Sequence, residues 1–566
     1  MLTSFDLKFP AKGQWFFLGI FCCLFIFCGC RNSKKPAEKD VVKTTKQLKE
    51  RISENLEELL NYAEENKALV SDSVRLSELK LVRSVYERNQ FQPIWSLDDN
   101  WRRISDSLYF VISNSKEYGL FPSDYHISPL RTIRNILNVD SASRKDAALW
   151  TRADLLMTDA YLSMAKHLKL GRLKADSVSF KKDSLINDDF FVQQFSRAAS
   201  NQNIITSLQS LEPKYPGYLH IREGLADFLS TANFKKYTYL KYPFKDSLAF
   251  IRLLQQRFSE DSLLQSNTPL LDSVSLSKVV SNYQKLRNFR STGKITESLV
   301  RNLNNTDWEK FKSIAVSLDH YKMLPEAVPV NYVLVNLPSY TLYVYDSDTL
   351  VFQSKVIVGS PKTKTPLLNS KITNFITYPQ WTVPYSIVFR DMLPQIQKDI
   401  GYLQRQNLMV VDRYDSVLNP MTIDWSKLSE KKFPYIIRQK EGDDNSLGVI
   451  KFNFANKYSV YLHDTNARWL FSKSARALSH GCVRVQDWQE LTRYLTSPDT
   501  LAFPPDSINA WIVRQEKHTV TGFPKLPLFI RYFTVEGKEG KLKFYNDIYG
   551  YDRLSREKYF ARKPIS

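Results

Sequence analysis

Near Val328 the hydrophobic pattern of the chain changes period, and that change constrains the fold more than any other feature. Upstream, apolar residues recur at three- and four-residue spacing. The clearest case is ALWTRADLLMTDAYLSMAKHLKLG, where Leu149, Ala153, Leu156, Ala160, Met164 and His167 fall along one helical stripe and Gly171 supplies a C-terminal stop. Downstream, NYVLVNLPSYTLYVYDSDTLVFQSKVIVGS alternates with a period of two and turns at Pro338-Ser339 and Asp346-Ser347-Asp348. The two periods predict an α+β multidomain protein, a mostly helical N-terminal scaffold followed by a β-rich domain.

At 566 residues the chain has length for three or four domains. After a polar tether and a helix over residues 31–72, helical patterns predict a scaffold domain over 73–265, in which YERNQFQPIW reads as an aromatic loop packed on helices. The β-rich domain is expected over 328–515. Within it, FRDMLPQIQKDIGYLQRQN and VVDRYDSVLNPMTIDWSKLSEKK form a helical, polar insertion at about 385–433, long enough for a lid or capping subdomain. Residues 516–566 are expected to pack on the body. Between the two large regions, SLSKVVSNYQKLRNFRSTGKITESLVRNLN reads as two helices split by Ser291-Thr292-Gly293. With Tyr283-Gln284, Gly293, Thr296 and Leu303 it resembles a small three-helix peptidoglycan-binding module, expected over 266–320; a helical hairpin without a ligand fits the same pattern.

Five cysteines sharpen the question of function. Cys22, Cys23, Cys28 and Cys30 crowd a segment with the anatomy of an export signal: Lys8 and Lys12, then the apolar run WFFLGIFCCLFIF, then Cys28-Gly29-Cys30. Gly before Cys at the end of such a run resembles a lipobox, with Phe27 at the position usually held by Leu; the resemblance implies lipidation at Cys30 and a chain tethered in the cell envelope, in the periplasm. An uncleaved membrane anchor is the alternative. The fifth cysteine, Cys482, stands by itself in an exported body where paired disulfides are common, which raises the expectation of a chemical role. The net charge of +20 is spread along the chain without a basic block, and export excludes nucleic acid as a partner. The seven histidines are scattered, and no metal or organic cofactor is expected.

Around Cys482 the chain reads YSVYLHDTNARWLFSKSARALSHGCVRV. A cysteine nucleophile needs a base for its proton and donors for the oxyanion formed on attack. His463, at the end of a predicted strand, supplies the base if the following loop returns the chain beside that strand. A backbone carbonyl in that loop would then hold its second ring nitrogen. Gly481 lets a substrate approach closely, with the N–H groups of Gly481 and Cys482 as oxyanion donors. Arg484 falls on the same side as Cys482 and is suited to a carboxylate. Tyr461 shares a face with His463. Ser479 and His480 are read first as loop braces, and Trp381 in YPQWTVP as core or cleft wall.

The order His463, then Ser479-His480-Gly481-Cys482-Val483-Arg484, resembles the signature of the L,D-transpeptidase family of cell-wall enzymes. RQKEGDDNSLGVIKFNFANKYSVYLHDT, TPLLNSKI and IRYFTVEGKEGKLKFYNDIYGYD are similar to the large multidomain Gram-negative members. The resemblance implies Cys482 as nucleophile, His463 as general acid/base, Gly481 in the oxyanion site, and Arg484, His480, Ser479, Tyr461 and Trp381 around the substrate. It further implies peptidoglycan stem tetrapeptides as donor and acceptor, joined in 3→3 cross-links through a thioester. A peptidase using water as acceptor and a non-catalytic murein-binding scaffold are the rival readings.

Overall fold

The computed structural model describes residues 37–176, 178–180, 186–498, 504–561 and 563; the expected export segment and Cys30 lie outside them. Helix α1 (Thr45–Glu65) starts in a capping box, Thr44 and Gln47 each bonding the other's backbone. Helix α2 (Ala147–Leu170) is the axis of the scaffold. It is buried nearly all round rather than along one stripe, because helices surround it. Buried Asp154 is satisfied within it, accepting the Ile94 and Trp95 N–H groups and the Tyr86 hydroxyl. His167, expected at a stripe edge, is half-buried there. Its Nδ1 bonds the Tyr125 hydroxyl at 2.8 Å, and burial lowers its pKa to about 3. Trp95 is fully buried with its indole on Thr158, so the aromatic loop packs on helices.

Helices α3 (Ser247–Glu260), α4 (Ser273–Leu286) and α5 (Glu297–Leu303) share a small core built from Phe250, Leu254, Phe258, Leu276, Val280 and Leu299. The side-chain Oε1 of Gln284 accepts the N–H groups of Thr292 and Gly293, which folds the turn between α4 and α5. This module begins earlier than the expected 266 and ends earlier than 320. Helix α6 (Asp307–Tyr321) leaves it, packing with Phe121, Tyr218 and Phe533 between scaffold and β domain.

Eight of the ten strands in the sheet of the β domain carry its closure: β1 (Asn331–Asn336), β2 (Thr341–Asp346), β3 (Thr349–Gly359), β4 (Leu368–Thr377), β5 (Ile450–Phe454), β6 (Leu462–His463), β7 (Val483–Val485) and β8 (Leu526–Arg531); the short strands Ala477–Ser479 and Thr519–Val520 add to β3 and β4. The eight are hydrogen-bonded in the order β5-β6-β7-β3-β2-β1-β8-β4, and β4 pairs back to β5, which closes the sheet into a barrel. Closure leaves these strands no open edge. Val333, Val344, Ile450, Phe452, Leu462, Val483 and Leu528 fill the interior. Because β8 lies between β1 and β4, the segment after 515 is part of the barrel rather than a layer packed on it.

The insertion is also larger than its expected limits of 385–433. A separate four-stranded sheet is ordered Trp381–Thr382, Ile436–Gln439, Leu408–Val411, Val417–Leu418, with helices packed on it around Val388, Ile396, Leu403 and Trp425. Ile436–Gln439 reads in the sequence like one more strand of the main domain. It pairs instead inside the cap.

Candidate active site

Strand alternation places the chemistry on the outer face of the barrel. Val483 and Val485 point inward from β7, and Ile450, Phe452 and Phe454 from β5, so Arg484 and Lys451 point outward. Parallel pairing of β6 with β7 sets His463 opposite Arg484, and antiparallel pairing of β5 with β6 sets His463 opposite Lys451. One row therefore reads Lys451, His463, Arg484 across three adjacent strands. Tyr461 and Cys482, each two residues earlier in the chain and just ahead of its strand, flank that row. The loop after His463 does return the chain beside the strand it left.

The thiol of half-buried Cys482 approaches the Ser459 carbonyl at 3.8 Å rather than the His463 ring. Burial pushes the thiol above its ordinary 9.0, against the pull of the Tyr461 amide and hydroxyl and of the Lys451 and Arg484 charges. His463 is buried, and burial, with the Arg484 charge second, lowers its pKa to about 3. The resting pair is a neutral thiol and a neutral imidazole. Nδ1 of His463 is enclosed without a hydrogen bond among the described residues; the Asp464 and Leu447 carbonyls act on the ring without reaching bonding geometry. A carbonyl of the loop after His463, that of Asp464, therefore lies beside the ring as expected, short of full bonding geometry.

Gly481 sits at φ +123°, where a side chain is strained, and this fixes glycine before the cysteine. Its N–H, expected as an oxyanion donor, is taken by Ser479 Oγ at 3.1 Å. Of the two expected donors, only the Cys482 N–H makes no hydrogen bond among the described residues. Ser479 also donates to the Cys482 carbonyl at 2.6 Å, so both contacts of its hydroxyl stay inside the loop rather than facing substrate. His480 turns away from the sulfur and meets Asp391 of the cap at 3.0 Å; Asp391 is held below the usual carboxylate range by Arg390 first and by His480 among the rest. Trp381, in the edge strand of the cap, has its Nε1 buried near the Tyr461 hydroxyl without bonding geometry.

Sequence reasoning missed the support beneath this loop. Thr365 Oγ1 accepts the Gly359 N–H and donates to the Gly481 carbonyl, each at 2.8 Å, and Thr363 Oγ1 donates to the Ser479 carbonyl at 2.9 Å. The Tyr549 hydroxyl donates to the Gly359 carbonyl and accepts the Thr365 N–H. A Cβ on Gly359 would lie 2.1 Å from the Thr363 carbonyl, so the chain turns there only as glycine. The threonines stood in view in PKTKTP, but nothing local ties them to residues more than a hundred positions away. Lys451 was missed as well, although strict alternation in IKFNF puts it on the face opposite the apolar residues.

Residues 330–506 match the family model of the L,D-transpeptidase catalytic domain, and residues 80–225 match that of a scaffold domain. The barrel that carries Cys482 thus contains a segment that matches an L,D-transpeptidase catalytic domain, and a segment that matches a scaffold domain precedes it. A Haemophilus influenzae protein named "Putative L,D-transpeptidase" is 34% identical over 251 residues, which cover 43% of this chain and 48% of the relative, so the match spans about half of that protein's length. Among solved structures, an L,D-transpeptidase from Stackebrandtia nassauensis is 14% identical, covering 54% of this chain and all of that one, with a TM-score of 0.16. An Enterococcus faecium L,D-transpeptidase mutant is 9% identical, covering 47% and 86%, with a TM-score of 0.15.

Proposed function

We propose that the protein is a peptidoglycan L,D-transpeptidase of the cell envelope that forms 3→3 cross-links through a thioester on Cys482. The observation that carries this reading is the outward barrel face that gathers Cys482, His463, Tyr461 and Arg484 inside the segment matching the catalytic domain.

In this reading the Cys482 sulfur attacks the carbonyl joining the third, diamino residue of a stem tetrapeptide to its terminal D-alanine. His463 takes the thiol proton as the carbon–sulfur bond forms. The imidazolium formed in this way, disfavoured by burial and by the Arg484 charge, passes that proton to the departing D-alanine nitrogen. The Cys482 N–H donates to the oxyanion, and Arg484 holds a free carboxylate of the stem. A side-chain amine of a neighbouring stem then attacks the thioester, releases the thiol and leaves the amide cross-link. No metal or organic cofactor enters these steps. Attachment to a membrane is through lipidated Cys30, with the polar residues that follow as tether.

Incubation with disaccharide tetrapeptide, followed by mass spectrometry of the products, tests the reaction. Dimers with 3→3 links, absent for Cys482→Ala, are expected. Tripeptide without dimer would make the protein a peptidase, and unchanged substrate with both proteins would leave a murein-binding scaffold.

A further inference from the structure

The site holds two cations without a counter-charge. Arg484 makes no ion pair among the described residues, and its Nε is buried without a hydrogen bond. Lys451, absent from the site as read from the sequence, is half-buried, makes no hydrogen bond or ion pair among the described residues, and rests over the Tyr461 ring at 4.2 Å. The two stand on either side of His463 in one cross-strand row, with backbones about 10 Å apart at ordinary strand spacing. Lys451 lies over the Tyr461 ring, and both side chains are close enough to Cys482 to interact with its charge. Burial lowers the pKa of each, the only charge opposing that shift being Cys482, which is a neutral thiol at rest.

Half-buried cations are costly unless an anion joins them. Neither the barrel face nor the cap supplies a carboxylate to this pair among the described residues: Asp391 is engaged by Arg390 and His480, and Asp464 by Arg468 and the Val449 N–H. The missing anion comes with the ligand. We propose that Lys451 is a specificity-determining residue of this site, a second cation which, with Arg484, seats a free carboxylate of the stem peptide, so that stems bearing acids are selected over stems whose carboxyls are amidated. This rests on the stem-peptide reading above and adds to it the discrimination between acid and amide. The aromatic ring beneath the ammonium fixes its position and leaves its N–H donors for the ligand.

The test is calorimetric binding to Cys482→Ala protein, which cannot turn over, using disaccharide tetrapeptide with free stem carboxylates and its amidated counterpart. The free acid is expected to bind roughly tenfold more tightly than the amide, Lys451→Gln to remove most of that difference by weakening the acid alone, and Lys451→Arg to keep it. Equal affinity for acid and amide, or equal weakening of both by Lys451→Gln, overturns the proposal and leaves the transpeptidase reading standing. No binding of either peptide overturns both. A circular dichroism melt of each variant shows that the fold is kept.

Discussion

At the scale of single residues, the site stores its proton on sulfur. A neutral thiol beside an imidazole that resists protonation differs from a preformed thiolate–imidazolium pair, and the two respond differently to pH. Alkylation of Cys482 by iodoacetamide is expected to keep rising with pH past 9.0, because burial raises the thiol above that ordinary value. A plateau reached below neutrality would show the ion pair instead. For stability the sign runs the other way along the scale: the buried His463 accepts a proton near pH 3 and an unfolded one near 6.5, so between those values the unfolded chain binds more protons and stability falls as pH drops. Urea denaturation of His463→Gln should therefore lose less stability than wild type between about pH 7 and about pH 4.5. The two histidines also separate kinetically. Acylation by a carbapenem should collapse in His463→Ala and persist measurably in His480→Ala, whose ring is engaged with Asp391 on the cap; the reverse result would transfer the base role to His480.

At the scale of elements, the nucleophile loop is held from below by a turn of polar residues. Thr365 is fully buried, and its hydroxyl joins the Gly359 N–H to the Gly481 carbonyl. Thr365→Val keeps the shape and strands both backbone groups, which should cost about 1–3 kcal/mol in urea denaturation and slow acylation of Cys482 together. The elements themselves were legible from period alone: alternation in NYVLVNLPSYTLYVYD gave β1 and β2, and the order His463, Ser479 to Arg484 pointed to Cys482 as candidate nucleophile and His463 as its candidate base. What stayed hidden depends on contacts across sequence. The Gly481 N–H is spent on Ser479, two residues away, and only the folded loop reveals that. Lys451 looked like an ordinary polar residue of a strand because its neighbours in the row, His463 and Arg484, come from two other strands. Ile436–Gln439 misled because a strand of a small capping sheet carries the same pattern as a strand of the main barrel.

At the scale of the molecule, the C-terminal segment completes the catalytic domain. Strand β8 seals the barrel between β1 and β4, and Tyr549, beyond it, braces the turn under the nucleophile loop. A chain cut after residue 515 should lose cooperative unfolding, since removing β8 leaves β1 and β4 as open strand edges and uncovers Val333, Val335 and Ile372, which share a core with Leu528 and Ile530 of the lost strand; a soluble, cooperatively melting product would contradict this placement. The scaffold meets the barrel through α6 and the aromatic cluster of Phe121, Tyr321 and Phe533, so scaffold and site are joined by a packed core rather than a linker. The account as a whole turns on Cys482 carrying the acyl group. Intact-protein and peptide mass spectrometry after brief incubation with disaccharide tetrapeptide tests that directly. The account predicts an added mass equal to the substrate less D-alanine, located on the peptide containing Cys482 and lost in Cys482→Ala; cross-linking or hydrolysis that proceeds undiminished in Cys482→Ala would contradict it.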